Sequence, residues 1–471
     1  MIFSKKTFFK ISVLLAMSGA FVFAQESQQQ NTESDKKTVN LTIYEAVDYA
    51  LEHSHSLKTA DIDLEIKARA GKNAWNVLLP TVQATGTLNR TTDISSNLSG
   101  TNTMMKLHGL PEIEETDSMK WTGIANLSVD WNFSLAMIQQ IRAAKAGYEA
   151  GKISYEQSLV ETEVNVKNFF YRLLLQQEKL NLQKTTLENS RKRMVQAEAN
   201  FKNGMVPELS MLQAQVTYQN KSPEVAQMER EFHQQLDTFA FLLGLPVGTD
   251  IVLQGSIEPF YVDLHYDTLI ERYGKNSLDL QSIDKNIEQL QRNLDALNLS
   301  TYTPFFNISY GFKPMLTDFL DADKGGFPTG GDWTDSGSIS FTIGWNLTNI
   351  LPFSSNRQQA KDLQANLDKL KVEREKYLEN QKMTVRKSVD TLIQAREQIQ
   401  SMNRSITLAQ RSYDMTMRAY RNGTRELLDV RDAENQLNTA KLGLANQKFN
   451  YISALLDLEK TLNTKLTGGE K

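Results

Sequence analysis

Asp429 and Asp432 lie three residues apart in a stretch of helical periodicity, so both carboxylates fall on one helix face. Such a strip is either the solvated face of a coiled coil or, where several chains bring strips together, a constriction that attracts cations. His53 and His55 have the composition of a metal pair, but positions i and i+2 do not share a helix face, so no metal site is read there. Cysteine is absent, which excludes disulfides, thiolate ligands and a lipid-bearing N-terminal cysteine. No Ser/His/Asp or Cys/His set, phosphate loop or carboxylate dyad occurs in a recognisable frame. The chain is therefore not read as an enzyme, and no cofactor is expected.

The aspartates belong to the stretch from Tyr420 to Ala433, which separates two very long helical patterns. Its Asn422-Gly423 pair supplies the left-handed backbone that a reversal between antiparallel helices needs. An earlier stretch, Phe201 to Ala214, aligns with it without a gap when Gly204 is set on Gly423. One unit therefore occurs twice, and the chain divides into repeats over 41–265 and 266–471.

Residues 1–24 carry Lys5, Lys6 and Lys10, an apolar run from Ile11 to Phe23, and Val22 and Ala24 where a signal peptidase reads. This is an export signal, too short to span a bilayer. No later segment offers the roughly 20 consecutive apolar residues of a membrane helix, so any membrane entry is by strands. Residues 25–40 are polar and read as a disordered leader. Loss of the three lysines takes the formal charge from −4 to about −7, which disfavours nucleic acid.

The first repeat opens with a helix from Leu41 to Leu79, stopped by Pro80. Period-two alternation marks strands over 81–90 and 121–133, with Ile124 as the one break and a polar loop between them. A long helix over 134–200 follows, then the turn and a helix over 208–243 that contains Pro223 and closes at Gly244-Leu245-Pro246. The second repeat gives a helix from Tyr266 to Leu299, strands over 305–313 and 338–347, a long helix over 352–419, and a helix over 426–462. In the last of these, Leu437, Leu444, Tyr451 and Leu458 keep heptad spacing.

In each repeat the two shorter helices together match the long one, so a wall of uniform height results, each long helix spanning roughly 100 Å. The strands have the length of tilted transmembrane strands. Four cannot close a barrel, and open edges are not tolerated in lipid, but three copies give twelve strands, an allowed number. The fold class is thus an α+β membrane protein: a long α-helical coiled-coil barrel plus a transmembrane β-barrel completed by trimerisation, four strands per protomer. Trp121, Trp131, Phe133, Tyr310, Phe312 and Trp345 at the strand ends suit aromatic girdles.

The order of elements, Leu79-Pro80, Leu242-Leu243-Gly244-Leu245-Pro246 and above all the turn from Tyr420 to Ala433 resemble the TolC-type outer-membrane efflux and secretion ducts. The resemblance covers essentially the whole mature chain. It implies a homotrimer in the outer membrane with a tunnel through the periplasm, serving as the passive exit of a tripartite efflux pump or type I secretion system. A periplasmic adaptor and an inner-membrane pump are the implied partners, and the pump selects the cargo. It further implies that the tunnel closes at its inner end through carboxylate rings at Asp429 and Asp432 and a tether at Tyr420 and Arg425. Two departures stand out: Ser210 stands where the family carries an acid at the first turn, so that the Arg425 tether is either lost or remade, with Glu208 and Ser210 as the possible partners, and Arg431 sits between the two aspartates. The alternative is an exported coiled-coil scaffold or surface protein without channel activity.

Overall fold

The structure is a computed structural model and describes residues 38–317, 332–334 and 336–466. The expected export signal and most of the expected leader lie outside the described residues. Helices dominate, because apolar residues recur at three-and-four spacing over spans of more than 60 residues. In chain order the elements are β1 (Val39–Leu41), α1 (Ile43–His53), α2 (His55–Lys72), β2 (Thr81–Arg90), α3 (Ser95–Leu107), β3 (Trp121–Phe133), α4 (Ala136–Lys202) and α5 (Glu208–Leu243). There follow β4 (Ile251–Leu253), α6 (Tyr266–Tyr273), α7 (Leu278–Tyr302), β5 (Phe305–Phe312), β6 (Met315–Thr317), β7 (Asp332–Thr334), β8 (Gly337–Gly344), α8 (Ser355–Arg421) and α9 (Leu427–Leu462).

The helices form a single-layer wall. One flank of α4 carries α2 and α5, the other carries α7 and α9, and α8 packs outside these. Helices α1, α2 and α5 hold 11, 18 and 36 residues against 67 in α4; α6, α7 and α9 hold 8, 25 and 36 against 67 in α8. At half height α1, α4, α5 and α9 bury Phe170, Leu173, Phe239, Leu243 and Ile452 in one core. A second core joins α8 and α9 through Val385, Leu392, Tyr451 and Leu458.

Apart from β1 and β4, the strands form one sheet whose main path runs β2-β3-β5-β8, antiparallel throughout. Its register gathers the apolar residues on one face: Val82, Val129, Tyr310 and Ile339 make one cross-strand row, Trp131, Ile308 and Phe341 the next, and Phe133, Phe306 and Ile343 a third. The other face is polar, with Asn132 bonded to Asn307 at 2.9 Å and Ser309 to Ser340 at 2.7 Å. The apolar face is exposed, to 77% at Phe341 and 64% at Ile339. Where strands meet helices, the Trp131 indole donates to the Leu78 carbonyl at 2.7 Å and Trp345 to Thr301 at 3.4 Å.

Several boundaries differ from the sequence reading. The helix expected over 41–79 breaks at Ser54 and ends in a 3-10 turn over Ala74–Leu78. The break has a tertiary cause: Gly244 ends α5 at φ +81, so close that a Cβ there would stand 2.3 Å from the His53 carbonyl oxygen. The last residues assigned to the leader enter β1, which pairs in parallel with β4. The loop between β2 and β3 contains α3, fastened where Asn102 exchanges two hydrogen bonds with the Ile113 backbone, at 2.8 and 2.9 Å. The helix expected over 266–299 is two, α6 and α7. Pro223 lies within α5, which continues through it. Among the described residues no helix is long and apolar enough to cross a membrane.

Candidate functional site

Both hairpin tips close by the same backbone chemistry. At the second, the Thr424 N–H donates to Ala419 at 2.9 Å and the Gly423 N–H to Tyr420 at 2.9 Å, with Gly423 at φ +75. At the first, Met205 donates to Asn200 at 2.8 Å and Gly204 to Phe201 at 2.9 Å, with Gly204 at φ +68. These are paired six-to-one and five-to-two bonds, which satisfy the last carbonyls of α4 and α8 and require a residue free to adopt positive φ.

Beyond the glycines the tips diverge. At the second, Asp429 reaches back to accept from the Glu426 N–H at 3.3 Å, capping α9. At the first, Pro207 precedes α5 without a side-chain cap, and the Ser210 N–H donates to the Pro207 carbonyl at 3.1 Å. Each aspartate also has a cation of its own chain beside it. Arg425 Nη1 stands 3.6 Å from Asp429 Oδ2, and Arg431 Nε stands 3.8 Å from Asp432 Oδ1. Among the described residues no ion pair joins Arg425 to Glu208. Glu208 sits in the first turn of α5, where a negative charge complements the helix dipole.

A cavity of about 1290 Å³ opens between the two tips. Tyr420 and Arg425 line it, with Lys192, Arg193, Arg418 and Arg421 facing Asp414 and Glu426, so its wall is predominantly basic. The structure thus places Tyr420, Arg425, Asp429 and the turn glycines at one end of the wall, about 100 Å of helix from the strands.

The groove ends at a buried cluster that sequence reasoning missed. Arg193 Nη2 on α4 donates to Glu434 Oε2 on α9 at 2.6 Å, with side chains only 14% and 6% exposed. Asn189 donates to the other Glu434 oxygen at 3.0 Å, and Asn438 donates to Thr186 Oγ1 at 3.1 Å. Burial, and then the Glu434 charge, push the Tyr413 hydroxyl above its ordinary value beside this pair. The partners are some 240 residues apart, so no local spacing signals them.

His53 and His55 each stack on an aromatic ring, His53 on Tyr49 at 4.3 Å and His55 on Phe241 at 6.0 Å. Among the described residues, no three His, Cys, Asp or Glu side chains are grouped to hold a metal.

The family model for outer membrane efflux proteins matches residues 46–245 and 269–464, nearly all of the described chain. The chain belongs to the outer membrane efflux protein family. Members of this family are outer-membrane channels and not enzymes. Nodulation protein T of Rhizobium leguminosarum bv. trifolii is 20% identical over 377 residues, 77% of this chain and 76% of its own. Outer membrane protein TolC of Escherichia coli K12 is 35% identical over 81 residues, 17% of this chain and 16% of its own. Among solved structures, the Campylobacter jejuni CmeC outer membrane channel superposes with a TM-score of 0.70 at 17% identity, over 91% of this chain and 87% of that one. That likeness establishes the efflux-protein fold.

Proposed function

We propose that three copies of this chain form a passive exit duct, with one twelve-strand barrel in the outer membrane and one helical tunnel through the periplasm. The observation that carries the reading is the sheet: apolar and exposed on one face, polar on the other, and open at β2 and β8. A sheet of this kind in water is an aggregation hazard, but closed with two copies it is a lipid-facing barrel with a wet lumen. Export through the signal peptide at 1–24 and the two structural repeats, 41–265 and 266–471, belong to the same reading.

The inner end is the gate. Asp429 and Asp432 form two rings of three carboxylates, and Tyr420 and Arg425 tether neighbouring helices. Since Ser210 offers no carboxylate, Arg425 divides between Asp429 of its own tip and Glu208. The basic groove between the tips suits a periplasmic adaptor, through which an inner-membrane pump drives the cargo it selects. In planar bilayers the detergent-extracted trimer should conduct ions and favour cations. Joint replacement Asp429→Asn and Asp432→Asn should weaken that preference and relieve block by multivalent cations. Unchanged selectivity and block would remove these residues from the constriction, and a soluble monomer extracted without detergent would overturn the duct.

A further inference from the structure

The seam between α4 and α9, which joins the two hairpins, changes chemistry along its length. Near half height it is apolar, with Phe170, Leu173 and Leu174 of α4 in one core with Ile452 and Leu456 of α9. Towards the tips it becomes polar, first at Thr186 and Asn438, then at Asn189, Arg193 and Glu434. Arg193 and Glu434 each lie eleven residues from their turn glycine, on the order of 15 Å above the tips. Below them the hairpins part around the 1290 Å³ groove. Among the described residues the pair is thus the outermost ion pair between the hairpin bearing Asp429 and Asp432 and the hairpin bearing the first turn.

Apolar contact yields gradually under a shift, whereas a buried ion pair is either made or broken, because a separated partner leaves a charge without compensation.

We infer that Arg193 and Glu434, with Asn189 as their orienting neighbour, form a lock within each protomer that holds the seam shut and so positions the gate. The inference rests on the proposed gate at the second turn. Arg193 and Glu434 are positioning residues, which need not touch the cargo.

The absence of cysteine makes a clean test available, because a single introduced thiol is the only one in the chain. Ala197 lies one turn nearer the tip than Arg193, on the same face of α4, and is buried. In the full-length trimer, Ala197→Cys should react slowly with maleimide. Adding Glu434→Gln should speed labelling by about tenfold or more, the shift expected when one partner of a buried pair is lost. The exchange Arg193→Glu with Glu434→Arg should slow it again. Asn189→Ala, which spares the ion pair and the fold, should give a smaller acceleration in the same direction. In bilayers the same variants should raise open probability in the same order. Unchanged labelling in Glu434→Gln and Asn189→Ala overturns the lock whatever the gate does. Faster labelling with unchanged conductance overturns its coupling to the gate. Asp429→Asn with Asp432→Asn, measured alongside, distinguishes this from a misplaced gate, in which case those variants too would be silent.

Discussion

Replacing Arg431 by glutamine should make the duct more selective for cations. Across residues 425–432 the charged side chains are Arg425, Glu426, Asp429, Arg431 and Asp432, a net charge of minus one per protomer and minus three in the proposed trimer. Arg431 stands 3.8 Å from Asp432 and half exposed, so it offsets that carboxylate towards any ion nearby. Its removal doubles the net charge of the proposed ring region. For an axial cation about 8 Å from each guanidinium, three lost repulsions amount to about 1.5 kcal/mol in water, and screening at 0.1 M salt reduces this to about 0.7 kcal/mol. The cation occupancy of the constriction should therefore rise roughly threefold. The measurement is the reversal potential of single trimers under a salt gradient, repeated at 1 M salt, where the difference should vanish. Joint Asp429→Asn and Asp432→Asn should move the potential the other way, since the same region then carries plus one per protomer. If the aspartate variants shift the potential and Arg431→Gln does not, Arg431 points away from the lumen. If neither does, the constriction lies elsewhere.

Three further outcomes follow from the geometry. Gly244→Ala should destabilise the protein by about 3 kcal/mol or more, because it adds a left-handed penalty to a collision with the His53 carbonyl oxygen. Gly423→Ala, at similar φ in open space, should cost only about 1 kcal/mol in the same unfolding assay; equal costs would refute the packing account. Burial pushes the Glu163 carboxyl up, but Lys167 and Lys465 outweigh it and hold the group below its ordinary value. A depressed carboxyl contributes stability above its unfolded pKa that is lost as pH falls through its folded one. Amide-exchange protection near residue 465 should therefore fall on acidification below about pH 4, and Glu163→Gln should flatten that dependence. Trp131→Phe keeps the ring edge-on to Phe133 at 6.1 Å but loses the bond to Leu78, so unfolding should show a cost of about 1 kcal/mol, and no change would dismiss the bond as a support of the strand-to-helix bend.

The long helices and the main strands were legible in the sequence, because an amphipathic period sustained over 60 residues, or alternation over eight or more, admits few other readings. What was not legible depended on distant partners. Nothing local shows that Val39 to Leu41 should pair with Ile251 to Leu253, or that the helical pattern through Ser54 must yield where α5 arrives. Helix α3 is composed largely of Ser, Asn and Thr, which favour turns, and is held by the Asn102 clamp rather than by an apolar face. At the site, the spacing of Asp429 and Asp432 was visible, but Asp429 as the cap of α9 was not singled out. The signal was there, in Glu426 followed three residues later by Asp429. The Arg193–Glu434 pair had none, being ordinary surface residue types until two helices from opposite halves bury them.

The two tips share a backbone and differ in how their following helices begin, and this difference bears on why aspartates stand at only one of them. At the start of α9 the N-cap Glu426 N–H needs an acceptor, and Asp429 supplies one; at the start of α5 the N-cap is Pro207, which has no N–H to satisfy. Asp429 therefore serves the stability of its helix and the charge of the tip together, and Asp429→Asn keeps an acceptor for the first while removing the second. Asp432 does no capping, and among the described residues its ion-pair partner is Arg431. A loss of selectivity in Asp432→Asn is then electrostatic in origin, whereas Asp429→Ala mixes electrostatics with fraying of α9. Only the asparagine variants separate a gate made of charge from a tip kept rigid by its cap.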